Sequence, residues 1–180
     1  VNAGPPLAVT GISVPAGGNA MIIYETTVTA FAPIAADSSI TNTVTVTGGS
    51  LTTPVTASET INTLDAAELN IRKSVDPVVV TENGQLTYTF VIENTGNTDA
   101  VATDDIVLSD NFDPILTNIS VTLNGTPLSE GTGYTYDEAS GAFATVAGQI
   151  TVPAASYVQN ADGSWTVIPG TATLVVSGTV

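Results

Sequence analysis

The chain has 180 residues, of which 17 are acidic, two are basic and none is histidine or cysteine, for a formal net charge of -15. Phosphate binding needs clustered Lys and Arg, so this balance argues against a nucleic acid partner and against an anionic membrane surface. Without His and Cys, zinc ligands, the commonest general base and the usual nucleophile–base pairs are missing. We therefore expect no enzyme activity and no cofactor.

The apolar content predicts an all-β protein. Hydrophobic residues make up 43% of the chain but aromatic residues only 6%, so Val and Ala, together with Thr, carry the pattern. β-branched side chains suit a pleated, half-buried surface, and recurrent Gly, Asn and Pro are typical of short strands and turns. No apolar run reaches membrane-spanning length, so membrane insertion is not expected.

Residues 1–63 contain three predicted strands. Residues 20–29 follow a Pro-Ala-Gly-Gly turn, residues 40–47 alternate between threonine and mostly apolar positions, and residues 53–60 follow a Gly-Gly pair. Because successive side chains of a strand point to opposite faces, Asn42 is predicted to point toward the core with the apolar positions.

A second series of strands begins at residues 69–75. In this strand Lys73 shares a face with apolar residues, whereas Arg72 faces solvent. Asn124-Gly125 predicts a hairpin turn. Further strands are predicted at residues 85–93, 101–109, 119–123, 134–136, 142–146, 149–152, 157–158, 165–168 and 173–180. Short strands separated by turns favour Ig-like β-sandwich modules in tandem, with antiparallel strands and no substantial helix.

An internal repeat relates residues 15–28 to residues 169–180. The first copy continues into residues 40–49, whereas the second stops at Val180. We therefore interpret residues 1–63 as the C-terminal part of a first Ig-like domain and residues 64–180 as a second one lacking its closing strand. A neighbouring copy is expected to add the missing strand, and a head-to-tail contact that does not close generates filaments.

Several segments together resemble a bacterial cell-surface repeat family called domain of unknown function eleven, and a clostridial secreted-protein subgroup more closely. They are LNIRKSVDPVVVTENGQLTYTFVIENTGNTDA, DIVLSDNFDP, ITNTVTVTGG, VPAGGNA and TLNGTPL. The resemblance implies an Ig-like or prealbumin-like sandwich, tandem repetition and a place on the cell surface. It also implies that an intramolecular Lys–Asn isopeptide bond forms in some members and relatives.

Lys73 is the only lysine, and we expect it to be buried because it shares a face with the apolar residues of its strand. That position allows two interpretations. A lysine amine taken out of water favours its neutral, nucleophilic form, and a neighbouring carboxylic acid can polarise an amide. These are the requirements of an isopeptide bond, whose acceptor would be Asn42 or an equivalent asparagine. The carboxylate is expected to be Asp110, then Asp105, then Glu93. Alternatively, Lys73 is simply an ion-pair partner.

Acidic residues also offer weak calcium candidates at Asp104, Asp105 and Asp110, but their spacing matches no calcium loop, so no metal is expected. The sequence favours an extracellular structural module of a bacterial surface fibre or stalk, with other copies of itself as partners. The alternative is an adhesin domain that binds an unidentified host or matrix ligand.

Overall fold

The computed structural model describes residues 6–180, and these residues form an all-β structure with one 3₁₀ turn at Ala102–Asp104. The predicted fold class is confirmed, because every named strand pair is antiparallel. Among the described residues, no helix is long and apolar enough to cross a membrane. The strands are β1 (Ser39–Val46), β2 (Val55–Asn62), β3 (Leu69–Asp76), β4 (Gln85–Asn94), β5 (Ser109–Asn111), β6 (Thr117–Leu123), β7 (Thr126–Leu128), β8 (Tyr134–Asp137), β9 (Ala142–Thr145), β10 (Ser156–Gln159), β11 (Trp165–Ile168) and β12 (Gly170–Thr179).

The main sheet has five strands in the order β3-β4-β12-β6-β7. Its central strands, β4 and β12, pair along their whole length, with Phe90 opposite Leu174. Both strands alternate strictly between buried and partly exposed residues, which is the pattern of a sheet with one face on a core. The predicted hairpin turn follows β6, where Asn124 and Gly125 both have positive φ.

A three-stranded sheet, β5-β9-β8, packs on the inner face of the main sheet. The two sheets share one cluster of buried side chains, in which aromatic rings of the smaller sheet meet Tyr88 of β4. Phe112 lies at the centre of this cluster, with its ring 4.9 Å from that of Tyr88 and 5.5 Å from that of Phe143. The core therefore lies between two sheets, as in a β-sandwich.

The sandwich is closed on one side and open on the other. On the closed side β7 continues into β8 through a short turn, in which the Gly131 N–H donates to the Tyr134 carbonyl at 2.7 Å. On the opposite side β3 and β5 are terminal strands of their sheets, and each pairs on one edge only. This open side contains the candidate functional site.

Two hairpins lie outside these sheets. β10 and β11 pair with each other, and so do β1 and β2. All residues of the β1–β2 hairpin are exposed, so the described part of residues 1–63 forms a bare hairpin rather than a packed sandwich.

Two asparagines, one at the end of β4 and one just after it, connect the hairpin to the sandwich. Buried Asn94 accepts from the Glu68 N–H at 3.0 Å, and Asn97 accepts from the Ala66 N–H at 2.9 Å. No side chain fits at Gly96, because a Cβ there would lie 2.2 Å from the Ala66 carbonyl oxygen. The Asn-Thr-Gly-Asn segment thus holds the strand that enters the sandwich.

Three predicted strands are absent or much shorter than expected. Residues 20–29 form no strand, although they resemble β12, because no strand within residues 6–180 pairs with them. In residues 101–109 only Ser109 belongs to a strand. There the Asp104 carboxylate accepts from the Val101 N–H at 2.7 Å, and Asp105 has a left-handed φ of 52°. A local hydrogen bond and a turn therefore take the place of hydrogen bonds between strands. Residues 149–152 contribute only a single bridge, between Val152 and Ala100.

Candidate functional site

The candidate site is an open groove between the free edges of β3 and β5. Its walls are mostly apolar, and it is lined by Leu69, Asn70, Ile71, Ile92, Ile106, Val107, Leu108 and Ser109. Alternation in β3 turns Leu69 and Ile71 toward this groove, yet they remain 39% and 56% exposed. The inward face of an edge strand is therefore left uncovered where a further strand of the smaller sheet would lie.

Lys73 and Asp110 lie at one end of this groove. The Lys73 ammonium donates to Asp110 Oδ2, so the structure brings together the lysine and the carboxylate that the sequence favoured. The ammonium also lies 4.6 Å from the centre of the Tyr88 ring, within cation–π distance. Asp110 is held in turn by the Asn111 N–H, which donates to its other oxygen at 2.9 Å.

The expectation that Lys73 is buried is wrong for the isolated chain, since its side chain is 41% exposed. The alternation placed it on the inner face correctly, because its neighbours across the strand pair point into the core. It stays accessible because nothing covers the groove beside it. The Asp110 side chain is more enclosed, with 19% exposure.

The other acidic candidates are not brought to Lys73. Glu93 pairs with Arg72 on the outer face of the main sheet, and the Asp104 carboxylate caps a turn. Asp105 adopts the left-handed conformation that ends the 3₁₀ turn. Within residues 6–180, no three acidic side chains lie close enough together to hold a metal ion, so Asp104, Asp105 and Asp110 do not form a calcium site.

Asn42 lies on the β1–β2 hairpin, away from Lys73. Its amide donates to the Tyr24 hydroxyl at 2.8 Å, and it shares a face with apolar residues as the alternation predicted. The two side chains are therefore not in contact within one chain, and this structure does not position them to form a bond with each other.

Glu59 is a residue that the sequence analysis missed. It lies directly opposite Asn42 across the hairpin, on the same face. Alternation in β2 carries the signal, because Glu59 interrupts an otherwise apolar series at Val55, Ala57 and Ile61. The face therefore has one polar pair at its centre.

Comparisons with protein-family models, with curated proteins and with solved structures each found no match. The features of this chain that bear on function are the groove, the Lys73–Asp110 pair and the exposed hairpin.

Proposed function

We propose that this chain is a structural module of a bacterial surface fibre or stalk, built of Ig-like units that assemble head to tail by strand complementation. The single observation that supports it best is the uncovered inner face of β3, beside a second free strand edge on β5. A sandwich open in this way is incomplete. A strand from another copy can cover it, because a strand pairs with the free edge of β5 and packs its apolar side chains on the inner face of β3.

The exposed edges explain why association is favourable. Free strand edges present unpaired N–H and C=O groups, and proteins normally protect them with charges, bulges or a covering element. Here the groove beside them carries exposed Leu69 and Ile71. The strand that one copy donates and the groove of the copy that accepts it are different surfaces of the chain, so the contact is heterologous. Such a contact propagates as an open filament unless it closes into a ring.

A covalent cross-link between copies is a further part of the proposal. The neutral Nζ of Lys73 attacks the side-chain carbonyl carbon of Asn42 from the neighbouring copy. A new amide bond forms, the C–N bond to the Asn42 amide nitrogen breaks, and ammonia leaves. Asp110 takes the proton from Nζ and returns it to the departing nitrogen. No oxidant or metal is required, and docking would supply the water-poor surroundings that the free groove lacks.

The composition agrees with an extracellular location on the bacterial cell surface. A net charge of -15 keeps an association-prone β-protein soluble before assembly. Arg72 and Lys73 are the only basic residues, so trypsin-like proteases have two adjacent sites, both on β3. A cross-link would replace the disulfides that commonly strengthen extracellular domains.

Light scattering of the purified chain over a range of concentrations, followed by negative-stain electron microscopy, tests this function. We expect the mean mass to rise with concentration and filaments to form. A mass equal to one chain at every concentration would overturn the proposal, and so would a closed dimer without filaments.

A further inference from the structure

The structure identifies a more specific occupant for the groove than a single strand. The β1–β2 hairpin is amphipathic, because directly opposed residues share a face. One face is lined by hydroxyls, with Thr41 bonded to Thr60 at 2.9 Å and Thr43 bonded to Ser58 at 2.8 Å. The other face is the apolar face of the hairpin, and it consists of Ile40, Val44, Val46, Val55, Ala57 and Ile61 around the Asn42–Glu59 pair.

This apolar face is exposed along its length, and at its centre the Tyr24 hydroxyl accepts from the Asn42 amide, a contact that docking has to replace. Ile61 is 70% exposed, and its partner across the hairpin, Ile40, is 43% exposed. A two-stranded hairpin is at best marginally stable alone in water, so a hairpin with a bare apolar face needs a surface to pack against. The chain therefore contains both an apolar two-stranded surface without a partner and a sandwich with an uncovered inner face.

The two surfaces match in pattern. Along the inner face of β3, apolar Leu69 and Ile71 are followed by Lys73, with its Asp110 partner, and then by Val75. The apolar face of the hairpin has the same sequence of chemistry, with apolar residues on both sides of the polar Asn42–Glu59 pair. If the hairpin docks with Asn42–Glu59 facing Lys73–Asp110, apolar side chains become buried on both sides of these polar pairs. This docking also places the Glu59 carboxylate and the Asn42 amide beside the ammonium.

The strand directions fix which end meets which. Leu69 and Ile71 line the groove with Ile106 and Leu108, and further along Lys73 contacts Asp110, so β3 and the segment that leads into β5 run in the same direction. A β1 strand that pairs with β5 in the antiparallel sense then carries Val44 and Val46 toward the apolar end of the groove.

The internal repeat assigns the same position to the hairpin. In the first copy the segment that resembles β12 is followed by β1 and β2. Consecutive strands tend to be neighbours in space, and the free edge of β5 is the edge of the smaller sheet on the open side of the sandwich. β1 therefore takes the position beside β5, and β2 the next position, under β3.

We infer that the groove accepts the intact β1–β2 hairpin of a second copy, with β1 paired to β5, β2 under β3 and Asn42–Glu59 facing Lys73–Asp110. This inference rests on the proposed function and specifies the occupant of its assembly site. Two strands complete the smaller sheet to five, equal in number to the main sheet.

A locked hairpin separates this inference from single-strand insertion. Because the chain has no cysteine, Thr43→Cys with Ser58→Cys creates one disulfide across directly opposed positions on the hydroxyl face. The reduced form of the same variant is the matched control. If the intact hairpin docks, light scattering shows no loss of assembly on oxidation. If β1 must leave β2 to insert alone, oxidation abolishes assembly and overturns the inference while the proposed function stands. If neither form nor the unmodified chain assembles, the proposed function fails and the inference fails with it.

Cross-linking between two copies tests the register. With Asn42 level with Asp110, Thr43 lies opposite Ser109 on the outer face of the sheet. A mixture of Thr43→Cys and Ser109→Cys chains should therefore give a disulfide-linked pair under mild oxidation. Thr135→Cys is the control, because Thr135 and Ser109 both pair with Ala144 and so lie in one row, at opposite edges of the sheet. Equal cross-linking of Thr43→Cys to both partners, or none to Ser109→Cys, would overturn this geometry.

Discussion

Replacing Ile71 by Ala should weaken assembly beyond its effect on the isolated chain, which loses only the part of the side chain that is already buried. Ile71 lines the groove and is 56% exposed before assembly. Full burial of an isoleucine side chain is worth up to about 3 kcal/mol, so covering the remaining surface contributes roughly 1.5 kcal/mol, most of which alanine loses. That difference corresponds to about a tenfold higher dissociation constant for each contact between copies.

Analytical ultracentrifugation measures this dissociation constant, and urea unfolding at a concentration below assembly measures the stability of the single chain. Val78→Ala is a suitable control, because Val78 is 85% exposed and does not line the groove. We expect the control to leave both quantities unchanged. If Ile71→Ala assembled as tightly as the unmodified chain, the groove would not be the contact between copies.

Three other substitutions have defined outcomes. Lys73→Ala should remove any boiling-resistant ladder in denaturing electrophoresis, whereas Arg72→Ala, which changes the adjacent cation, should keep it; a ladder in both would rule out Lys73 as the linking residue. Tyr136→Phe should lower the free energy of unfolding in urea by about 1–3 kcal/mol, because the Tyr136 hydroxyl accepts from the buried Leu116 N–H at 3.0 Å and donates to its carbonyl at 2.8 Å. Asn94→Ala should lower the same free energy by about 2–4 kcal/mol, since Asn94 is fully buried and its side chain bonds to the backbone of Glu68, Gly96 and Thr98. An unchanged urea midpoint for Tyr136→Phe or for Asn94→Ala would contradict the role given to that residue.

Four of the five strands in the main sheet, β3, β4, β6 and β12, could be predicted because each alternates between apolar and polar residues, and in β4 and β12 burial follows that alternation. The fifth, β7, was not predicted. β3, β4 and β12 each carry an apolar series on one face, and the same alternation placed Lys73 on the inner face of β3. Asn42 shares a face with apolar residues as predicted, but that face belongs to an exposed hairpin and does not point into a core. Asp110 was the favoured partner of Lys73, and the structure has the two side chains in contact.

The wrong predictions concern residues whose structure depends on a pairing strand or on a local hydrogen bond, neither of which can be read from the alternation of side chains. Residues 20–29 resemble β12, but a strand forms only where another strand bonds to it, and none does so here. In residues 101–109 the side chain of Asp104 bonds to the backbone and competes with a strand. Lys73 was expected to be buried, yet its cover is absent from the single chain, so its position in the sequence could not reveal its exposure.

Hydrogen–deuterium exchange of the segment that ends in β5, measured below and above the assembly concentration, shows whether the groove is the contact between copies. The free edge of β5 has no strand partner in the single chain, so its outward amides should exchange freely at low concentration. We predict strong protection of residues 105–111, and of the β1 amides that pair with them, once copies associate. Assembly without protection at β5, or protection confined to another surface of the sandwich, would contradict this prediction.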